Sequence, residues 1–302
     1  MTLYDKQNTI ASPVTFSGVG VHSGKEVHLT VMPAPENHGI RFCRVDLPAK
    51  PVVTAHFNRV VDTSLATVIG DSGCIVSTIE HLMATFSGLS IDNALIELDG
   101  HEVPIMDGSA AVFAEAIRRA GIKGQDAGRP YFVIKRPIVL EKDGKSVCAY
   151  PGLCRKMTCT IAFDNPVIGE QTYCLDITRE RFENEIARAR TFGFFEEIEL
   201  LKFYGLGKGG SLDNAVVING DAVMNKEGLR YADEFVRHKI LDAIGDFSLM
   251  GMPILGHLKL YKSGHNFNHA FLTEFFKQKD CWDTMTLEAY RESLKPDLLE
   301  TA

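Results

Sequence analysis

Residues 10–60 are expected to be strand-rich, with short apolar segments between Gly, Pro and Asn: VTFSGVGV, EVHLTVMP, GIRFCRV and VVTAHFNRVV. Such segments bounded by turn residues predict strands. Another strand, CIVS, runs into STIEHLMATFSGLSI, where Ile79, Leu82, Met83 and Phe86 recur at helical spacing. NALIELDG then reads as a strand, and SAAVFAEAIRRAGI as a helix ending near Gly121. The first half is therefore expected to be α+β.

KGQDAGRP, residues 123–130, has the Gly, Pro and charge content of a linker. Beyond it, YFVIKRPIVLE, KSVCAYPG and MTCTIAFDNP resume the strand pattern, and TRERFENEIARA is a helical candidate. Residues 193–220 are mixed: a polar helix-like piece, the glycines of GLGKGGS and a strand, AVVING. A strong helix is expected over 230–249 and another from near Asn266. Both halves read as strands followed by helices, which predicts a duplicated architecture with domains at 1–126 and 127–302. The letters themselves do not repeat clearly.

Composition narrows the partners. The 302 residues are 45% hydrophobic and 24% charged, enough for a substantial core and unlike a disordered or collagen-like chain. A net charge of −7 argues against a broad nucleic-acid surface, leaving room for a small positive pocket. MTLYDKQNTIASP lacks the features of a secretory signal, and no apolar run approaches the ~20 residues that span a bilayer. The expectation is a cytoplasmic protein with no obligate protein partner. Seven cysteines without a CxxC pair read as reduced thiols.

The sharpest chemical signal is Arg237-His238-Lys239-Ile240-Leu241-Asp242-Ala243-Ile244-Gly245-Asp246. On a helix His238 and Asp242 project from one face, Asp246 lies a turn further, and Val236, Ile240, Ala243, Ile244 and Phe247 form the opposing apolar stripe. Imidazole and carboxylate supply two zinc ligands; the competing reading is an ordinary i,i+4 pair on a helix surface. His81 offers a third ligand, or packs in the core. Glu80 beside it is placed to take a proton from a water that the ion activates. Ser77-x-x-Glu80 also fits a capping box. In Lys262-Ser263-Gly264-His265-Asn266-Phe267-Asn268-His269, His265 and His269 are rival ligands at i,i+4 spacing, or His265 is an acid at a loop–helix junction.

Taken together, GVGVHSG (18–24), DTSLAT (62–67), STIEHLMATFSGLSIDNALIELDGHEVPIMDGSA (77–110), ARARTFGF (187–194), GGS (209–211), LRYADEFVRHKILDAIGD (229–246) and KSGHNFNHA (262–270) resemble one family. It is the UDP-3-O-acyl-N-acetylglucosamine deacetylases, zinc amidases of lipid A biosynthesis. The resemblance implies two similar α+β domains, helices packed against sheets in a layered sandwich, with the active site at the interdomain cleft. It implies one zinc held by His81, His238 and Asp242, with Glu80 as general base. It also implies His265 as proton donor or electrostatic partner supported by Asp246, and Thr191 and Lys239 near the acetyl group and tetrahedral intermediate.

The implied substrate is an acylated UDP-N-acetylglucosamine. Phe192 stands beside the sugar and Lys239 and Lys262 near the diphosphate, while Ile198, Gly210, Ser211 and Ala215 line an acyl passage in the 193–220 insert. His22 joins the substrate-binding set, against glycine-turn packing with an incidental histidine. Lys208 departs from the apolar residue common at its position, which bears on the shape of the passage. The alternatives are a zinc amidase for another N-acetylated sugar and a noncatalytic nucleotide-sugar-binding module.

Overall fold

The alternation in the first half builds a five-stranded sheet. In the computed structural model, which describes residues 3–294, its order is Val14–Val19, Glu26–Pro33, Ala94–Leu98, Ile40–Arg44, Val52–Thr54. Along Glu26–Pro33 the residues Val27, Leu29 and Val31 are buried while Glu26 and His28 are exposed, so one face meets the core. Val60–Asp62, Val68–Asp71 and Cys74–Val76 form a smaller antiparallel sheet that leads into the first helix.

The second half builds a seven-stranded sheet around Ile254–Tyr261. That strand pairs with Lys145–Tyr150 on one side, and with both Arg155–Ala162 and Pro130–Ile134 in parallel. Seven helices are described: α1 (Glu80–Gly88), α2 (Ala111–Ala120), α3 (Arg179–Arg181), α4 (Phe195–Phe203), α5 (Glu234–Ser248), α6 (His265–Lys277) and α7 (Leu287–Ser293). The fold is mixed α+β, as the pattern predicts.

The site is positioned by α1 from the first half and α5 from the second, which pack against each other inside one continuous hydrophobic cluster. Gly245 permits the crossing: a Cβ there would lie 2.1 Å from the Glu80 carbonyl oxygen. Only a residue without a side chain lets the two backbones come this close.

Two segments differ from the sequence pattern. Most of the linker candidate is strand: Ile122–Gly128 pairs antiparallel with Lys6–Ile10. Its Lys123 and Asp126 point outward from a two-stranded ribbon, so charge and glycine are tolerated there. The helix expected over 178–189 is only α3 and one wide turn over Phe182–Ile186. The Phe182 ring fills the space above Gly88, where a Cβ would come within 2.3 Å of it.

Candidate active site

The approach to α1 decides what Glu80 can do. Ser77 is held as a strand residue: its N–H donates to His101 O at 2.8 Å, and it is bridged to Glu102. Thr78 then turns through φ +56°, and α1 begins at Glu80 with no side-chain cap. The Ser77–Glu80 capping box therefore does not form. Glu80 Oε2 instead accepts from Thr67 N at 3.1 Å. Burial pushes the Glu80 carboxyl above its ordinary value, aided by Asp242 and Asp246 and opposed by His265 and His81.

His81 and His238 meet edge to face, ring centroids 5.0 Å apart. Asp242 Oδ1 lies 3.5 Å from His81 Nε2 and 3.2 Å from His238 Nε2, and the three possible ligand atoms fall within 4.8 Å of one another. His238 Nδ1 donates to Ala189 O at 3.0 Å, which leaves the Nε2 lone pair facing the cluster. Burial pushes His238 down to about 4, with His81 and Lys239 adding to this and Asp242 opposing, so the ring is neutral at pH 7. Burial opposes ionisation of Asp242, yet the imidazoles and the Lys239 ammonium around it hold its carboxyl well below the carboxylate range.

Asp242 Oδ1 is buried and, among the described residues, has no hydrogen-bond partner. A buried, ionised oxygen without a donor is costly unless something else satisfies it. Two imidazole nitrogens and one carboxylate oxygen converging there are a donor set that suits a divalent cation. The Ala189 carbonyl behind His238 supplies the orienting contact that metal-binding histidines usually have.

Opposite this cluster stands His265, the first residue of α6. Its Nδ1 lies 2.8 Å from Asp246 Oδ2, and its Nε2 lies 4.0 Å from both Glu80 Oε1 and Asp242 Oδ2. Asp246 also accepts from Thr67 Oγ1 at 2.6 Å and from Asn268 Nδ2 at 2.8 Å. Burial works against the imidazolium, but Asp246, then Asp242 and Glu80, raise the His265 pKa to about 10. The rival His269 is turned away and pairs through Nε2 with Phe57 O at 3.0 Å.

Lys239 and Phe192 stand beside this cluster. Lys239 Nζ donates to Asp242 Oδ2 at 3.0 Å and lies 5.7 Å from the Phe192 ring centre. Phe192 in turn lies 6.2 Å from the His238 ring. Thr191 is half-buried and receives Val216 N on its carbonyl. Its segment is fixed by Arg190, fully enclosed and paired with the equally buried Glu234 of α5 through Nε at 2.9 Å. Lys262 is exposed, with φ +52°, three residues before His265.

In the insert, Ile198 is half-buried on α4 and Ser211 is exposed, its N–H on Asn214 Oδ1. Ala215 O accepts from Asn225 Nδ2. A Cβ at Gly210 would lie 3.3 Å from Gly207 O, whereas one at Gly209 would lie 2.3 Å from Gly20 O. The closest approach in this loop therefore falls at Gly209, where the insert docks on the loop carrying His22. Glu102 clamps that loop by accepting from His22 N and Ser23 N, and the His22 Nδ1 atom is buried and has no partner among the described residues.

Sequence reasoning gave no role to Thr67, Asn268, Ala189 or Glu102. Thr67 and Asn268 lie in the DTSLAT and KSGHNFNHA blocks, which carry the only signal of their place. Ala189 contributes a backbone atom, so its side chain holds no signal at all.

The family model described as UDP-3-O-acyl N-acetylglycosamine deacetylase (LpxC) matches residues 7–277. A protein of Geotalea uraniireducens (strain Rf4) is 47% identical over 281 residues, 93% of this chain and 92% of its own length. One of Myxococcus xanthus (strain DK1622) is 48% identical over 92% of this chain and 88% of its own length. One of Saccharophagus degradans (strain 2-40) is 46% identical over 94% of each. All three are named UDP-3-O-acyl-N-acetylglucosamine deacetylase.

Proposed function

This chain belongs to the UDP-3-O-acyl N-acetylglycosamine deacetylase family, and from that premise we propose that it hydrolyses the N-acetyl amide of UDP-3-O-(3-hydroxyacyl)-N-acetylglucosamine in lipid A biosynthesis. The products are acetate and the free glucosamine amine. The observation that carries the reading is the buried Asp242 Oδ1, unpartnered among the described residues between two imidazole nitrogens, with His265 Nε2 4.0 Å from both Glu80 and Asp242.

His81, His238 and Asp242 would hold one zinc ion. When bound, zinc supplies Lewis acidity, polarising the acetyl carbonyl and making water a stronger acid. Glu80, its basicity raised by burial, takes a proton from the attacking water. Lys239 and Thr191 stand where negative charge develops on the former carbonyl oxygen. His265 Nε2 gives a proton to the departing nitrogen, while Asp246 keeps the ring oriented and charged through Nδ1.

Phe192 packs against the sugar and Lys262 faces the diphosphate. Ile198, Gly210, Ser211 and Ala215 border the acyl chain, and His22 sits under the docked loop. Lys208, exposed within that loop, shapes the chain's exit. The proposed compartment is the cytoplasm: all seven cysteines are free, as a reducing environment keeps them. No helix among the described residues is long and apolar enough to cross a membrane.

Turnover of the acylated UDP sugar, followed as loss of one acetyl group by mass, tests the reading. Glu80→Gln is expected to keep its metal and lose about 10²–10⁴-fold in kcat. A metal-replete Glu80→Gln enzyme with wild-type kcat would refute the base assignment. Equal turnover of simple N-acetylated sugars would refute the substrate.

A further inference from the structure

The α1–α5 pair also borders a space apart from the catalytic cluster. A cavity of about 150 Å3 opens there, with Met83, Phe86, Ile91, Met157, Ile244 and Phe247 in its apolar wall. None of Glu80, His81, His238, Asp242, Asp246 or His265 lines it. A cavity of this size lined by apolar side chains takes a body as large as benzene.

Two arginines share the polar part of the wall, but only one has an anion. Asp92 Oδ1 is bound by Arg129 Nε at 2.7 Å, and Asp92 Oδ2 accepts from Asn8 N at 2.8 Å. Arg155, only 7% exposed, donates to Ser87 O at 3.2 Å and Ser87 Oγ at 2.8 Å, and among the described residues no carboxylate pairs with it. Ser87 lies in the last turn of α1, whose dipole offers about half an elementary charge against a full one. Burial and the neighbouring Arg129 push Arg155 down to about 10, with Tyr131 and Asp92 opposing.

We propose that this cavity is a second ligand site, for a small organic anion whose apolar body lies against Phe86 and Phe247 and whose carboxylate pairs with Arg155. The planar guanidinium suits a carboxylate, and the cavity suits the rest. The ligand would rest on the two helices that carry the catalytic side chains, against residues of those helices that do not line the catalytic cluster. Its site is nevertheless separate from the substrate's.

Benzoate, benzamide and benzamidine test this as one shape with three charges. Titrated into the metal-loaded enzyme, benzoate is expected to bind about ten-fold or more tightly than benzamide, through one charge-assisted contact, and benzamidine not at all. Methyl-labelled protein should show the benzoate shifts at Met83, Met157 and Met252. Arg155→Met should abolish the preference for benzoate over benzamide; Met252→Trp, at the rim with Arg155 intact, should weaken both. If Arg155→Met does not fold, the methyl shifts and Met252→Trp decide. Equal binding of benzoate and benzamide, no saturable binding of benzoate, or binding that leaves those three methyls unmoved would each overturn the proposal and leave Arg155 as a cap on α1.

Discussion

Gly245→Ala is the most economical test of how the site is assembled. The added methyl would stand 2.1 Å from Glu80 O, 2.9 Å from Glu80 C and 3.0 Å from Glu80 Cα. All three are backbone atoms of the first turn of α1, so no side chain can swing aside to relieve the contact. Opening even the oxygen contact to 3.0 Å separates the helices by roughly 0.9 Å. Alanine favours a helix interior over glycine by about 1 kcal/mol, while overpacking costs about 1–3 kcal/mol, so the net loss of stability is small. The metal site is far less forgiving. His81 rides on α1 beside Glu80, His238 and Asp242 ride on α5, and ligand distances tolerate only about ±0.2 Å. Metal affinity should fall at least about ten-fold, and kcat/KM about 10²-fold, with a change of only a few degrees in Tm. Competition against a calibrated chelator, calorimetry and turnover measure the three quantities on one preparation. Gly124→Ala, where the nearest atom to the new methyl is 3.9 Å away, is the control and should change none of them. A Gly245→Ala enzyme with wild-type metal affinity and kcat/KM would refute the claim that this crossing sets the geometry.

Further outcomes follow from neighbouring contacts. Asp246 raises His265 to about 10, so the imidazolium is present through neutrality and lost as pH rises through that value. Asp246→Asn should therefore move the falling limb of kcat/KM to lower pH, and His265→Ala should flatten it with metal retained; unchanged profiles would refute the acid role. Gly210→Val should lower kcat/KM for long acyl chains more than for short ones, and an unchanged ratio would remove Gly210 from the passage. Gly209→Ala, placing a methyl 2.3 Å from Gly20 O, should lower Tm by loosening the loop that holds His22; an unchanged Tm would refute that docking.

What the sequence makes legible is local, and what it hides is the meeting of distant segments. The spacing of His238 and Asp242 places both on one face of a helix, and the structure brings Nε2 within 3.2 Å of Oδ1. The same pattern does not register how deeply that face is buried. His238, Asp242 and Asp246 are all buried, because α1, α6 and the Arg155–Ala162 strand pack against α5. Burial is what lowers His238, raises Glu80 and leaves Asp242 Oδ1 without a donor, so the electrostatics of the site belong to tertiary packing. Residues 123–128 fail for the same reason: their order comes from a ladder with Lys6–Ile10, far away in sequence, which composition cannot register. Thr67 is the most instructive case. Its N–H holds Glu80 and its hydroxyl holds Asp246, so one residue between two short strands and a helix fixes the base and the acid's partner together. Nothing in a lone threonine announces such a role; only the convergence of α1, α5 and α6 around it does.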